Sequence, residues 1–255
     1  MKNTVLTLLA LCVYGITFSQ TNLNKTLTVG LGFTKSYNSV IQETNNFKAK
    51  GFGMARTFAS WEQKYNKLDL GASFEFYNTS YEYLDRNFEN KKTGNSVGLY
   101  FYSGGFVNVI ALGISAKYTI INGKVYQLRL KISPKVGYVV YGRYLSAYDN
   151  IIEKGNNQQG KDFYFERPGK WYSKGLFPLL SLEMEQEIKI AKRSGIVLSI
   201  GYQQGFVPYF KDPMRIYRQY DTPNQTIEDF EVQNKGNMLF YQISYRQYFG
   251  KQKTK

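Results

Sequence analysis

The sequence predicts an all-β chain folded as a single antiparallel transmembrane β-barrel of eight strands. Three observations carry that prediction. Apolar residues recur on every second position in stretch after stretch, the period of a strand rather than a helix. Short turns and long polar connectors alternate strictly, as they do in a barrel that crosses a membrane with both termini on one side. After the first residues no run of about 18 or more apolar residues occurs, so helices are not the membrane-crossing elements.

The elements follow in order. Residues 1–19 read as a cleaved secretory signal. Lys2 supplies the positive start, 5–16 a short apolar run, and Thr17-Phe18-Ser19 the small residues before a cut at Gln20. Cys12 raises a lipoprotein alternative, which bulky Leu11 opposes. Residues 20–255 then form the barrel domain. Strands are expected near 25–35, 47–61, 66–80, 106–121, 124–146, 174–190, 195–210 and 236–249. In the first, Leu27, Val29, Leu31 and Phe33 oppose Thr26, Thr28, Gly30 and Gly32. In the seventh, Ile196, Leu198, Ile200 and Tyr202 oppose Val197, Ser199, Gly201 and Gln203. Short turns sit near 62–66, at 121–124 ("INGK", an Asn-Gly hairpin signal) and at 191–194. Long polar connectors occupy 36–46, 81–105, 147–173 and 211–235.

Three places need a decision. Residues 180–190, "LSLEMEQEIKI", place Glu183, Glu185 and Glu187 on alternate positions. Leu180, Met184 and Ile188 would also suit a helical stripe. The turn "AKRSG" and the strand that follow make the stretch one arm of a hairpin. Residues 47–58 put either Arg56 or the glycines toward lipid, unless a bulge resets the register. Residues 96–102 resemble a further strand and are read as part of a hairpin standing above the membrane. Ten strands is the alternative if the 147–173 connector hides another.

Alternation alone also suits a soluble barrel with its oily face turned inward. Two features favour the membrane. The polar face is rich in small residues (Gly30, Gly32, Gly71, Gly113, Ser115, Ser199 and Gly201), which suits a crowded lumen. Aromatics gather toward strand ends, at Phe58 and Trp61, 74–77, 138–144, 202–209 and 241–249, where interfacial girdles belong. With its signal peptide, loop asymmetry and closing strand "MLFYQISYRQYF", the chain resembles the small outer-membrane β-barrels of the OmpX, OmpW and PorT kind. That strand ends on the aromatic Phe249, although "GKQKTK" extends past it. The resemblance spans 24–249. It implies residence in the outer membrane of a Gram-negative bacterium, among outer-membrane lipid and lipopolysaccharide. PorT-like relatives imply a partner protein in an envelope assembly, and OmpW-like ones a small passive channel.

On this fold the glutamates face the lumen. Arg129 is expected level with Glu185, and Lys131 with Glu183, while Lys117, Lys189, Arg246 and Asp69 share the same lower half. The expected result is a salt-bridge network that holds register and blocks a narrow bore. A charged, ion-selective constriction is the alternative.

The chain has no histidine and one cysteine, which removes His-dependent triads, disulfides and Cys–His zinc sites. Outer-membrane barrel enzymes generally look to a histidine. Glu183 and Glu185 share one strand with no cleft for a glycosidase pair, so no enzyme activity and no cofactor are expected. The net charge of +14 and pI near 9.5 arise from scattered Lys and Arg with no basic helix, so nucleic acid is not the expected partner. The connectors are the expected working surface. Tyr164, Trp171 and Tyr172, with Lys211, Arg215 and Arg218, are candidates for stacking on sugars, pairing with lipopolysaccharide phosphates or docking a protein. A solvated rim with an aromatic girdle is the plainer reading. A structural or interaction barrel, a passive channel and a secreted soluble carrier are thus the competing functions.

Overall fold

The computed structural model describes residues 25–42, 47–85, 89–90, 95–96, 99–144, 161–166, 175–220 and 223–250. The signal-peptide and Cys12 readings fall on residues 1–24, outside the described residues. Fourteen strands follow in chain order: β1 (Lys25–Ser36), β2 (Ser39–Gln42), β3 (Phe47–Tyr65), β4 (Leu68–Asp85), β5 (Glu89–Asn90), β6 (Asn95–Ser96), β7 (Leu99–Asn122), β8 (Tyr126–Tyr144), β9 (Lys161–Glu166), β10 (Leu176–Ala191), β11 (Ser194–Gly205), β12 (Phe210–Tyr220), β13 (Thr226–Asn234) and β14 (Met238–Phe249). Eight of them close an antiparallel barrel in the order β1-β14-β11-β10-β8-β7-β4-β3. Closure runs from Lys25↔Phe249 on one side of β1 to Lys25↔Gln63 on the other. Among the described residues there is no helix, and none that could cross a membrane.

The barrel is inside-out relative to a soluble protein. Phe33 and Ile243 are 72% and 57% exposed on its outer wall, while Arg129 and Arg246 are buried within. A continuous apolar outer band with a charged interior is stable only where the solvent is hydrocarbon. Crossing takes about 9–11 tilted residues. The 24 residues of β7 therefore carry its hairpins well past the membrane at the long-connector end.

Details of register settle the awkward stretches. The β3–β4 pairing slips between Phe52 and Arg56, and that bulge turns Arg56 inward. β3 then runs to Tyr65, so the expected turn at 62–66 shrinks to Asn66 and Lys67, with Asn66 at a positive φ of 58°. Leu99–Tyr102 begins β7 and continues the β4–β7 hairpin through Tyr83↔Phe101. Among the described residues no ninth or tenth strand enters the barrel wall.

Two expectations are corrected. First, the connectors 36–46, 147–173 and 211–235 are not simply loops: they supply a separate four-stranded sheet, β2-β13-β12-β9. Its pairings join segments far apart in the chain, which no local pattern announces. Pro213 fits because β9 joins β12 only from Arg215 on, leaving Pro213 with β13 alone beside it. Second, three aromatics assigned to girdles point inward: Phe58, Tyr77 and Tyr209 are all buried. Tyr77, Val107, Val109, Val139, Phe177 and Phe240 of the barrel form one buried cluster with Phe210, Met214, Phe230 and Val232 of the outer sheet. The outer sheet thus packs as an apolar cap on the barrel's long-connector end. Trp61 and Phe249 stay outside and stack at 5.8 Å at the short-turn end.

The small inner residues make room for this filling. A Cβ at Gly201 would collide with the Phe240 ring and lie 2.7 Å from the Leu182 carbonyl oxygen. Gly201→Val is therefore expected to destabilise the barrel by about 1–3 kcal/mol, the usual cost of overpacking. A chemical-denaturation curve in vesicles checks it; a wild-type midpoint would mean that Phe240 can swing aside.

Candidate functional site

Strand period alone directs the glutamate row inward. Glu183, Glu185 and Glu187 are all buried, and Leu182, Met184 and Ile188 face out. The backbone register sets Glu183 opposite Lys131, Glu185 opposite Arg129 and Glu187 opposite Gln127. The ion pairs follow that ladder only in part. Lys131 Nζ lies 3.1 Å from Glu183 and 3.8 Å from Glu185. Arg129 instead pairs one step lower with Glu187 and stands 3.7 Å from Asp69. Cations from across the bore hold Glu185: Lys117 Nζ at 2.5 Å and Arg246 Nη2 at 2.6 Å. Arg246 also reaches Glu187 at 2.8 Å and donates from Nε to Thr28 Oγ1 at 3.0 Å. Gln242 donates to Glu183 at 2.6 Å, and the Tyr248 hydroxyl donates to Glu187. Lys189, placed in the same lower half from sequence, is half-buried at the short-turn mouth and makes no ion pair with a described residue.

Sequence reasoning missed four of these charges: Arg56, Glu62, Glu75 and Lys135. Glu62 joins Lys117 at 2.6 Å and accepts from Ser60 Oγ at 2.8 Å. A second cluster stands at mid-height, where Glu75 takes Arg56 at 2.7 Å and Lys135 at 2.6 Å, with the Arg56 guanidinium 3.8 Å above the Phe240 ring. Once a bulge is admitted before Arg56, the phase 56, 58, 60, 62 points inward, and that was the available signal. Among the described residues the buried charges of the lumen balance: six cations (Arg56, Lys117, Arg129, Lys131, Lys135, Arg246) against six anions (Glu62, Asp69, Glu75, Glu183, Glu185, Glu187). Neutrality is what a low-dielectric interior demands.

Above this lies a mostly apolar layer with its own polar bonds. Gln203 Nε2 donates to the Tyr77 hydroxyl and to the Gly236 carbonyl, both at 3.2 Å. Thr79 and Tyr209 share a hydroxyl–hydroxyl bond of 2.7 Å, and Phe177 stacks on Tyr209 at 4.5 Å.

Two of the connector candidates stand on the outer sheet, apart from the lumen. Lys211 and Arg215 lie on strand β12, not on a loop. Lys211 is exposed, 3.9 Å from Glu231. Arg215 grips Asp229 with two bonds of 2.7 and 3.0 Å, and those bonds hold the Asp229 carboxyl below its ordinary range. Tyr164 sits in β9 opposite Tyr217, and Arg218 in β12 opposite Phe163; their side chains, like all of Trp171 and Tyr172, lie outside the described residues. Among the described residues no group of three His, Cys, Asp or Glu is arranged to hold a metal.

No protein-family model matches the chain, and neither does any curated protein sequence. Solved structures do. The outer membrane protein OprG from Pseudomonas aeruginosa superposes with a TM-score of 0.54 at 8% identity, over 90% of this chain and 97% of that one. This chain has the fold of the small outer-membrane β-barrels. Neisserial surface protein A (NspA; TM-score 0.39, 9% identity, 88% and 97% covered) and a major outer membrane protein from Thermus thermophilus (0.43, 10%, 88% and 99%) match it less well. At such identities the likeness concerns the barrel alone. The lumenal charges and the capping sheet belong to this barrel's own residues.

Proposed function

We propose that this protein is exported by a signal cleaved after Ser19, inserts in the outer membrane of a Gram-negative bacterium, and serves there as a closed barrel with a structural or interaction role. One observation carries the reading: the bore is filled along its height, by the balanced charge network below and the capped apolar cluster above. An eight-stranded interior is about wide enough for side chains to fill, and the buried charges and the capped cluster support such filling here. The network then acts as a register lock and plug. It is no catalytic site, because its carboxylates are engaged by fixed cations and the chain has no histidine to relay protons.

The outer sheet is the working surface of this reading. β12 carries Lys211 and Arg215, suited to phosphates of lipopolysaccharide, a surface ligand or a partner protein. Because Asp229 already occupies Arg215, an anion must compete for it, whereas Lys211 is more exposed. Reconstitution in planar bilayers tests the closed bore. No stepwise conductance is expected from the folded, heat-modifiable protein. Regular conductance steps that shift on Glu185→Lys would replace the plug with a passive channel.

A further inference from the structure

We infer that the short-turn mouth of the barrel binds an acidic polypeptide segment, presented from the compartment that the short turns face. In barrels of this wiring that compartment is the periplasm. The inference rests on the closed-barrel fold and not on the outer sheet's role.

The positive charge of this protein is concentrated there. Lys64, Lys189, Lys192 and Arg193 line a concavity together with Gln127 and Tyr248, with Phe249 at its rim. Lys25, Lys67 and Lys124 surround it on neighbouring strand ends and turns. The three acids at that end, Glu62, Asp69 and Glu187, are buried in the lumen. There they are engaged by Lys117, Arg129 and Arg246. None of the four lining cations makes an ion pair with a described residue, unlike the six cations inside the barrel. Unpaired like charges gathered in a concave site repel one another, and an arriving anion relieves that repulsion.

The occupant follows from geometry and chemistry. Lys64 and Lys189 continue the inward-facing phase of Glu62 and Glu187, so the concavity opens within the ring of strands. Bilayer headgroups touch the outside of that ring. Residues 251–255 bring three lysines and no acidic side chain, so that segment is not the acidic occupant. Ammonium and guanidinium groups beside an aromatic rim suit carboxylates on short methylene stems, which Glu and Asp side chains supply.

The test uses the full-length protein in nanodiscs of zwitterionic lipid, with a fluorescein-labelled oligoglutamate peptide as probe. Saturable binding that weakens with salt is expected. Lys192→Gln/Arg193→Gln should weaken it about tenfold or more, while the charge-matched Lys35→Gln/Lys235→Gln at the opposite end should leave it within about twofold. No binding, or equal losses in the two variants, would overturn the inference. So would loss of peptide binding when the nanodisc lipid is made anionic, which would assign the collar to headgroups. Because neither pair lies in the lumen, the outcome does not depend on whether the barrel conducts.

Discussion

Glu185→Gln is expected to destabilise the barrel by about 3–5 kcal/mol, the cost of stripping one partner from a buried ionic cluster. Glu185 is the hub of the lower network, within 4 Å of Lys117, Lys131 and Arg246, which stand on three different strands. The amide keeps the shape and removes the charge, so six cations then face five anions with little water to screen them. Glu62 still meets Lys117 and Glu187 still meets Arg246, which is why the network weakens rather than collapses. The partner experiment is Lys117→Met. Among the described residues that lysine's ion pairs are to Glu62 and Glu185, and the double variant restores the balance of charge. It is expected to be less destabilised than the two single losses added together, by about 1–3 kcal/mol. Urea titrations in lipid vesicles read both effects. A single variant within about 0.5 kcal/mol of wild type would show that water enters the lumen and that the charges are ordinarily solvated.

The second large effect belongs to the other side of the wall. Leu198→Arg is expected to cost about 2–4 kcal/mol, as cationic substitutions do near the middle of a membrane-spanning strand. Leu198 sits mid-way along β11, faces outward and is flanked by Gln186 and Ile243. Its chain neighbours Val197 and Ser199 face inward, so the expected penalty is specific to one phase of the strand. Folding yield into vesicles and the denaturation midpoint should both fall. An unchanged midpoint would mean that water bathes this face, as on the surface of a soluble sheet, where such substitutions change little.

Together the two substitutions test one statement from opposite sides: charge belongs inside this wall and hydrocarbon outside it. That statement was legible in the sequence because strand geometry is local. Period two assigned Glu183, Glu185 and Glu187 to one face and Leu182, Met184 and Ile188 to the other before any pairing was known. Hairpin turns then placed Lys131 opposite Glu183 and Arg129 opposite Glu185, as found in the backbone register. The eight barrel strands lie close to where alternation put them, with ends shifted by a few residues.

What only the tertiary structure decided is everything that depends on reach across the barrel or between distant connectors. Arg129 passes over its register partner for Glu187, because Lys117 of β7 and Arg246 of β14 already hold Glu185 from across the bore. The side chains are long and the lumen is narrow, so partners are chosen by three-dimensional proximity and charge balance rather than by the nearest strand. Arg56 and Glu62 reach the lumen only through the bulge before Arg56 and the full length of β3, and Arg56 then shares Glu75 with Lys135. The four-stranded cap joins three connectors that no local pattern links, and it turns Tyr77 and Tyr209 from candidate interface residues into parts of a plug. The sequence thus determined the facing of each strand, which is set residue by residue by the pleat. The apolar cap on the barrel's long-connector end came from long-range packing, which the pleat does not encode.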